Sequence, residues 1–192
     1  MKQYIAGWML GAVLAGNAAA ALQEGDKAPD FQAQAALSGK AVSYALGEAR
    51  KRGPVVVYFF PTSYGGGCSV QAHAFSQHYE KFTAAGANIV GVTLDSLERL
   101  QDFSADPDYC AGKFPVVSDA NGAISRAYQL KVDSQQTTRK DRRGHDATSP
   151  RVERTTFVVG TDGQVLATVG DLAPEQNVLQ ALAKVQAISG VR

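Results

Sequence analysis

Apolar positions along this chain fall into two kinds of pattern. Residues 55–60 (VVVYFF) are β-branched and aromatic without a break, introduced by Gly53-Pro54 and closed by Pro61. A run of that length and composition predicts a strand buried on both faces. After Cys68 the spacing changes, with Ala72, Phe75, Tyr79 and Phe82 recurring at intervals of 3, 4 and 3 until Ala85-Gly86. That period predicts an amphipathic helix, and Cys68, four residues before Ala72, falls on its inward stripe at the N-terminus.

Further along, residues 89–94 (IVGVTL) predict a second strand and Ser96 the N-cap of a short helix reaching Phe103. Residues 114–117 (FPVV) predict a short extended edge, and residues 119–129 a helix with Ile124 and Tyr128 inward. Residues 157–159 and 165–169 flank Thr161-Asp162-Gly163-Gln164, where Asp-Gly supplies the positive φ of a hairpin turn. Pro174 starts a last helix whose apolar side is Val178, Leu179, Leu182 and Val185. An early βαβ unit followed by a hairpin and a closing helix predicts an α/β fold, with a central mixed β-sheet flanked by helices on both faces. Residues 131–151, with Arg139-Lys140, Arg142-Arg143 and almost nothing apolar, read as a basic, solvated and mobile loop. Asp133, Asp141 and Asp146 dilute its charge and weaken a reading as a docking surface for an acidic partner.

The chain has 192 residues, 45% of them hydrophobic, which suffices for one well-filled core and is short for two. Its start stands apart. Lys2, the apolar residues 4–14 and Ala18-Ala19-Ala20 have the form of a secretory signal peptide. The apolar run falls short of the about 20 residues that span a bilayer. The expectation is therefore a signal peptide over 1–20, a mature domain over 21–192, export to the bacterial periplasm and no membrane association after cleavage. Residues 1–20 carry Lys2 as their one charge, so the remainder has 18 basic and 18 acidic residues. That balance gives no electrostatic reason to expect a nucleic acid as partner.

Two cysteines, Cys68 and Cys110, remain in a chain bound for an oxidising compartment. A structural disulfide, a redox pair and two unrelated thiols all fit that count. A cysteine attacks as the thiolate, and a helix N-terminus favours the anion through unpaired N–H groups and the helix dipole. Gly65, Gly66 and Gly67 let the backbone approach a small ligand closely. An arginine would add a permanent charge and hold two oxygens at once, and it must come from elsewhere in the fold. His73 and His78 are five residues apart, off a common helix face, so no metal site is expected from them.

These residues carry a resemblance. GDKAPDF from Gly25, VVVYFFP, Cys68 seven residues after Pro61, the helix QAHAF, NIVGVTLD, KFPVVSD and ERTTFVVGTDGQV are similar to the peroxiredoxins of the alkyl-hydroperoxide-reductase and thiol-specific-antioxidant superfamily. The similarity runs from about residue 23 to about residue 170, nearly all of the chain beyond the leader. It implies a thioredoxin-like fold and a thiol peroxidase that needs no cofactor and no metal. It also implies Cys68 as the peroxidatic cysteine, with Pro61 on the active-site signature and Arg154 as the arginine at the head of a later strand. The signature's threonine position holds Gly65, a departure that implies weaker hold on the peroxide oxygens. Gln71 stands where many members carry glutamate and keeps the ability to hydrogen-bond the arginine.

By the same resemblance Cys110 is the resolving cysteine, forming an intrachain disulfide with Cys68 after peroxide has oxidised it. The implied partners are a peroxide substrate and a thioredoxin-like or small-thiol reductant, on a monomer or weak homodimer. Competing readings are a Cys-x-x-Cys disulfide reductase, opposed by Cys68-Ser69-Val70-Gln71, and a copper carrier using Cys68 with His73, opposed by the lack of a second nearby cysteine. A third is a weak or inactive thioredoxin-fold module, with Cys68 and Cys110 as a structural bridge.

Overall fold

The structure is a computed structural model that describes residues 20–135 and 139–190; nearly all of the expected signal peptide lies outside the described residues. Strands β1 (Gln32–Leu37) and β2 (Lys40–Ala45) form a hairpin and lead into a short helix, α1 (Leu46–Arg50). Strand β3 (Val55–Phe59), helix α2 (Gly66–Ala84), strand β4 (Asn88–Thr93), helix α3 (Leu97–Ala105) and strand β5 (Val116–Ser118) are two successive βαβ units with parallel pairing. Helix α4 (Ala123–Ala127) precedes four two-residue strands, β6 (Val132–Asp133), β7 (Arg139–Lys140), β8 (Asp146–Ala147) and β9 (Arg151–Val152). Strands β10 (Thr155–Val159) and β11 (Val165–Gly170) make the expected hairpin around Gly163 at φ 86°, and helix α5 (Pro174–Ser189) closes the chain.

Seven strands form one mixed sheet in the order β11-β10-β3-β4-β5-β1-β2. β3 lies inside it, and its side chains alternate between two cores. Val56, Tyr58 and Phe60 join Phe75 and Phe82 of α2, Phe103 of α3 and Val178, Leu182 and Val185 of α5. Val55, Val57 and Phe59 join Leu46, Tyr128 and Phe157 on the other face. A continuous apolar run is what a strand covered on both sides requires. Tyr58 stacks on Phe75 with ring centroids 4.4 Å apart, and the close approach of β4 depends on Gly91, where a Cβ would lie 2.7 Å from the tyrosine ring.

The structure corrects several expectations. Residues 114–117 do not form an edge, because β1 pairs with β5 and places it inside the sheet. That β1–β2 hairpin was invisible as an apolar run: QAQAAL buries only alanines fully, and the turn is made by Ser38 at φ 49° and Gly39 at φ 80°. The helix expected over 119–129 shrinks to Ala123–Ala127, because the Asp119 carboxylate accepts from the backbone N–H groups of Ile124 and Ser125 and holds a turn ahead of it. Leu179 is 38% exposed rather than part of the apolar side of α5. Where composition predicts a solvated stretch at 131–151, β6 pairs with β9, β7 pairs with β8 and Asp141 is buried.

Phe75 is fully buried between Tyr58, Phe82 and Phe114. Phe75→Ala is expected to cost about 3–5 kcal/mol of stability, read from the midpoint of urea unfolding.

Candidate active site

Helix α2 begins after β3 has ended at Phe59 and residues 60–65, with Pro61 among them, have reversed the chain. Pro61 is half-buried and, lacking an N–H, closes the strand without leaving a donor unpaired. Tyr64 takes the left-handed conformation at φ 58°, Gly65 is the N-cap and Gly66 the first helical residue. Cys68 therefore sits in the first helical turn, where backbone N–H groups have no partner within the helix. Its side chain is 3% exposed and belongs to the core that covers the helix side of the sheet.

Arg154, just ahead of β10, reaches back to it. Its Nη2 donates to Cys68 Sγ at 3.4 Å and its Nη1 to Gln71 Oε1. Gln71 in turn donates from Nε2 to Asn177 Oδ1 at 2.9 Å. The Thr156 hydroxyl donates to the same oxygen at 2.6 Å, and Asn177 Nδ2 donates to the Val169 carbonyl at 2.9 Å. Gln71, Thr156 and Asn177 are all buried, so β10, β11 and α5 together fix the guanidinium over the sulfur. Gly67 makes room for this: a Cβ there would lie 3.2 Å from Arg154 Nη2 and 3.1 Å from the Pro174 ring. A Cβ on Gly65 would lie 3.5 Å from Cys68 Sγ and 3.1 Å from the Thr62 methyl, whereas Gly66 borders open space.

The hydroxyls of Thr62 and Ser63 are committed to Asp95, whereas the buried Ser69 hydroxyl next to Cys68 has no partner. Thr62 Oγ1 donates to Asp95 at 3.1 and 3.2 Å, Ser63 Oγ donates to Asp95 Oδ2 at 2.8 Å, and the Ser63 N–H bonds the same oxygen. Arg99 bonds Ser63 from the other side, through Oγ at 2.9 Å and the carbonyl at 3.0 Å, and donates to Asp141 Oδ2 at 2.7 Å. Burial pushes the Asp141 carboxyl up, but hydrogen bonds from Arg99 and from the His145 and Arg143 backbones outweigh it and hold the group below the usual carboxylate range. Tyr64 is buried against Phe103 and Tyr109, with the Arg143 guanidinium 3.4 Å from its ring centroid. The Arg142 N–H donates to the Tyr64 carbonyl at 3.0 Å, so the 139–147 segment lies directly on the turn.

Cys110 is fully buried in the same core as Cys68, and both are free thiols. It lies in a series of turns after α3, where Ala111 and Gly112 have positive φ. Burial pushes its thiol far above the ordinary range, and the neighbouring Tyr58 hydroxyl draws it part of the way back. The expected residues Cys68, Gly65, Gly67, Gln71 and Arg154 thus come together. Sequence reading missed Asp95, Asn177 and Tyr58. Asn177 had a signal, a polar residue beside Val178 on the apolar stripe of α5; Asp95 had a weaker one, a carboxylate just past the C-terminal end of a parallel strand. His73 pairs with Gln77 across one helical turn at 2.8 Å, and among the described residues no group of three or more His, Cys, Asp or Glu side chains is placed to hold a metal.

A sulfur at a helix start under a fixed arginine, on this sheet order, defines a class. The family profile described as AhpC/TSA matches residues 24–168, and the chain belongs to that family of peroxiredoxins, which are thiol peroxidases. The chain is 34% identical over 145 residues to a protein of Mycobacterium tuberculosis assigned as a peroxiredoxin, covering 76% of this chain and 83% of that one. It is 30% identical over 112 residues to peroxiredoxin Bcp of Xanthomonas campestris, covering 58% and 63%. Among solved structures, peroxidoxin BcpB of Mycobacterium tuberculosis superposes with a TM-score of 0.70 at 27% identity, over 87% of this chain and 98% of that one.

Asn177→Ala removes the acceptor that Gln71 and Thr156 share, and is expected to cost about 1–3 kcal/mol of stability and to slow alkylation of Cys68 several-fold. Mass spectrometry after timed exposure to iodoacetamide reads the second effect. Cys110 is expected to alkylate in the folded protein more slowly than a free thiol up to about pH 9, because burial keeps it protonated where an ordinary cysteine ionises near pH 8.5. The raised value means that the unfolded chain releases this proton first, so the contribution of Cys110 to stability is fully present below the ordinary thiol pKa and is lost progressively as pH rises from there through the raised pKa of the folded protein.

Proposed function

We propose that this chain is an exported two-cysteine peroxidase in which Cys68 is peroxidatic and Cys110 resolving. Cys68 thiolate attacks the distal peroxide oxygen, the O–O bond breaks, and with one proton the products are Cys68 sulfenic acid and an alcohol or water. The Cys110 thiol then attacks the sulfenic sulfur, giving the Cys68–Cys110 disulfide and water. A thioredoxin-like dithiol or a small thiol of the envelope reduces that disulfide and restores both thiols. Arg154 orients the sulfur and the peroxide oxygens, Gln71 positions Arg154, and the first-turn amides next to Gly65, Gly66 and Gly67 receive the leaving oxygen.

The observation that carries the reading is the Arg154 hydrogen bond to Cys68 Sγ, held from behind by Gln71 and Asn177. Gly65 supplies no hydroxyl and Thr62 and Ser63 give theirs to Asp95, so hydrogen-bond donation to the peroxide rests on Arg154 and the backbone, with the unpartnered Ser69 hydroxyl as the one uncommitted neighbour in sequence. Cys110 is buried in turns, so disulfide formation requires the 106–113 turns and the first turn of α2 to open. The leader over residues 1–20 is the support for export.

One equivalent of hydrogen peroxide is expected to convert reduced protein to the Cys68–Cys110 disulfide, a loss of two hydrogens by intact mass. Cys110→Ser is expected to stop at a sulfenic acid on Cys68. Peroxide consumption that persists in Cys68→Ser would sink the mechanism, and a Cys68 no faster than a free thiol would make the chain an inactive relative.

A further inference from the structure

The outer face of α2 borders a cavity of about 490 Å³, within the size range of small-molecule sites. Four parts of the chain meet around it: Ser69 and His73 of α2, Tyr109 in the turns around Cys110, Arg142 of the 139–147 segment and Glu175 at the start of α5. Cys68 is not in the lining, so this space is separate from the sulfur and its arginine. Two of the wall groups are buried without a partner. The Ser69 hydroxyl makes no hydrogen bond among the described residues, and Ser69 is 2% exposed. His73 Nδ1 is unpaired in the same way. Gln77 Nε2 lies 2.8 Å from His73 Nε2 and, as an amide nitrogen, donates to it, which leaves the ring proton on Nδ1. Ser69 and His73 are four residues apart and share one helix face, so two donors stand at this wall with nothing to receive them.

The charges around the cavity are of both signs. Arg142 stands on one wall, and Asp108 and Glu175 on the others. All three are exposed, and none makes an ion pair among the described residues. A purely anionic or purely cationic guest would be drawn by one wall and repelled by another. A molecule with an anion at one end, a cation at the other and a hydrogen-bond acceptor between them meets every wall. Its carboxylate suits the Arg142 guanidinium, its ammonium suits Asp108 and Glu175, and a peptide carbonyl suits the two unclaimed donors. Val70, 42% exposed in the same lining, offers apolar surface to a small side chain.

We propose that this cavity binds a short peptide with both termini free, about two or three residues long, and that the bound peptide holds the two cysteine-bearing segments in their closed arrangement. The walls belong to the pieces that part when the sulfurs join: Ser69 lies in the first turn of α2, and Asp108 and Tyr109 lie in the 106–113 turns. A guest that bridges these pieces binds the closed form and not the opened one, and so draws the equilibrium away from opening. This closing role rests on the reading of Cys110 as the resolving cysteine. No bond is made or broken by the peptide, and the step at Cys68 that consumes peroxide is untouched.

The probe is alanylalanine, with its N-acetyl and C-amide forms as controls that each lack one charge. Calorimetric titration of the reduced full chain is expected to give saturable binding of the free dipeptide with a Kd of about 1 mM or below. Each control is expected to bind about tenfold more weakly, the loss of one charge-assisted pair. Arg142→Gln is expected to make the free dipeptide and its C-amide bind equally, and the Asp108→Asn, Glu175→Gln double variant to do the same for the N-acetyl form. Comparing two ligands on one variant cancels a general folding defect. Ser69→Ala is expected to weaken all three ligands alike without lowering stability, because it removes a buried hydroxyl that has no partner. Quenched reactions with one equivalent of hydrogen peroxide, read by intact mass, test the closing role. Formation of the Cys68–Cys110 disulfide is expected to slow by one plus the ratio of free dipeptide to Kd, about tenfold at ten times Kd, while sulfenic acid forms at an unchanged rate.

No saturable binding up to about 10 mM overturns the proposal. Equal binding of the three compounds to the wild type overturns it as well, since no wall would then be reading charge. Binding that leaves the disulfide rate untouched overturns the closing role while the peroxidase reading stands. If peroxide yields no Cys68–Cys110 disulfide even without the dipeptide, the reading of Cys110 falls and the closing role with it, whereas the titrations on reduced protein decide the binding site on their own.

Discussion

The turn between β3 and α2 hangs on one buried carboxylate. Asp95 follows β4, whose position is fixed by its parallel pairing with β3, and its oxygens accept from both hydroxyls and one N–H of Thr62 and Ser63. Three donors on one carboxylate leave that turn little freedom. Removing the acceptor would strand a buried N–H and two hydroxyls at the point where the chain must reverse. Sheet register thus sets the carboxylate, the carboxylate sets the turn, and the turn sets the first residues of α2. Cys68 inherits its place at the helix start from that sequence of constraints, and its own contacts, with Arg154 and the core, act on a position already set.

A second set of contacts closes over the same turn from outside. Arg99 bridges Ser63 and Asp141, and Arg143 lies on the face of Tyr64, whose edge meets Phe103 and Tyr109. The 139–147 segment is in this way coupled to both cysteines. It touches the turn ahead of Cys68 through Tyr64, and the turns around Cys110 through the aromatic contact with Tyr109.

How much of this could be read from the sequence depended on how local the cause was. Strand β3, helix α2 and the β10–β11 hairpin announce themselves through apolar period and turn chemistry, and each formed within two residues of expectation. The β1–β2 hairpin did not, because alanine and glutamine carry little periodic signal and its burial comes from β5, eighty residues away. The site divided along the same line. Cys68, Gln71 and Arg154 occupy positions that a motif marks, whereas Asp95, Asp141 and Asn177 act through hydrogen bonds across 21 to 106 residues of sequence. Local composition also misjudged the basic segment: its charge was visible, but the burial of Asp141 depends on Arg99, a partner 42 residues distant.

Asn177 places the last helix inside the candidate site, and this has a consequence for how the protein comes into being. A chain made from its N-terminus exposes Cys68 when less than half of its length exists, while Arg154, the Thr156 hydroxyl and Asn177 arrive in the final fifth. Until α5 docks on β10 and β11, Gln71 and Thr156 lack the Asn177 oxygen that they share, and the Arg154–Gln71 pair beside the sulfur lacks its support from behind. The surroundings of Cys68 are therefore completed last, by closure of the C-terminal helix on the sheet, and an unfinished chain carries that sulfur without them.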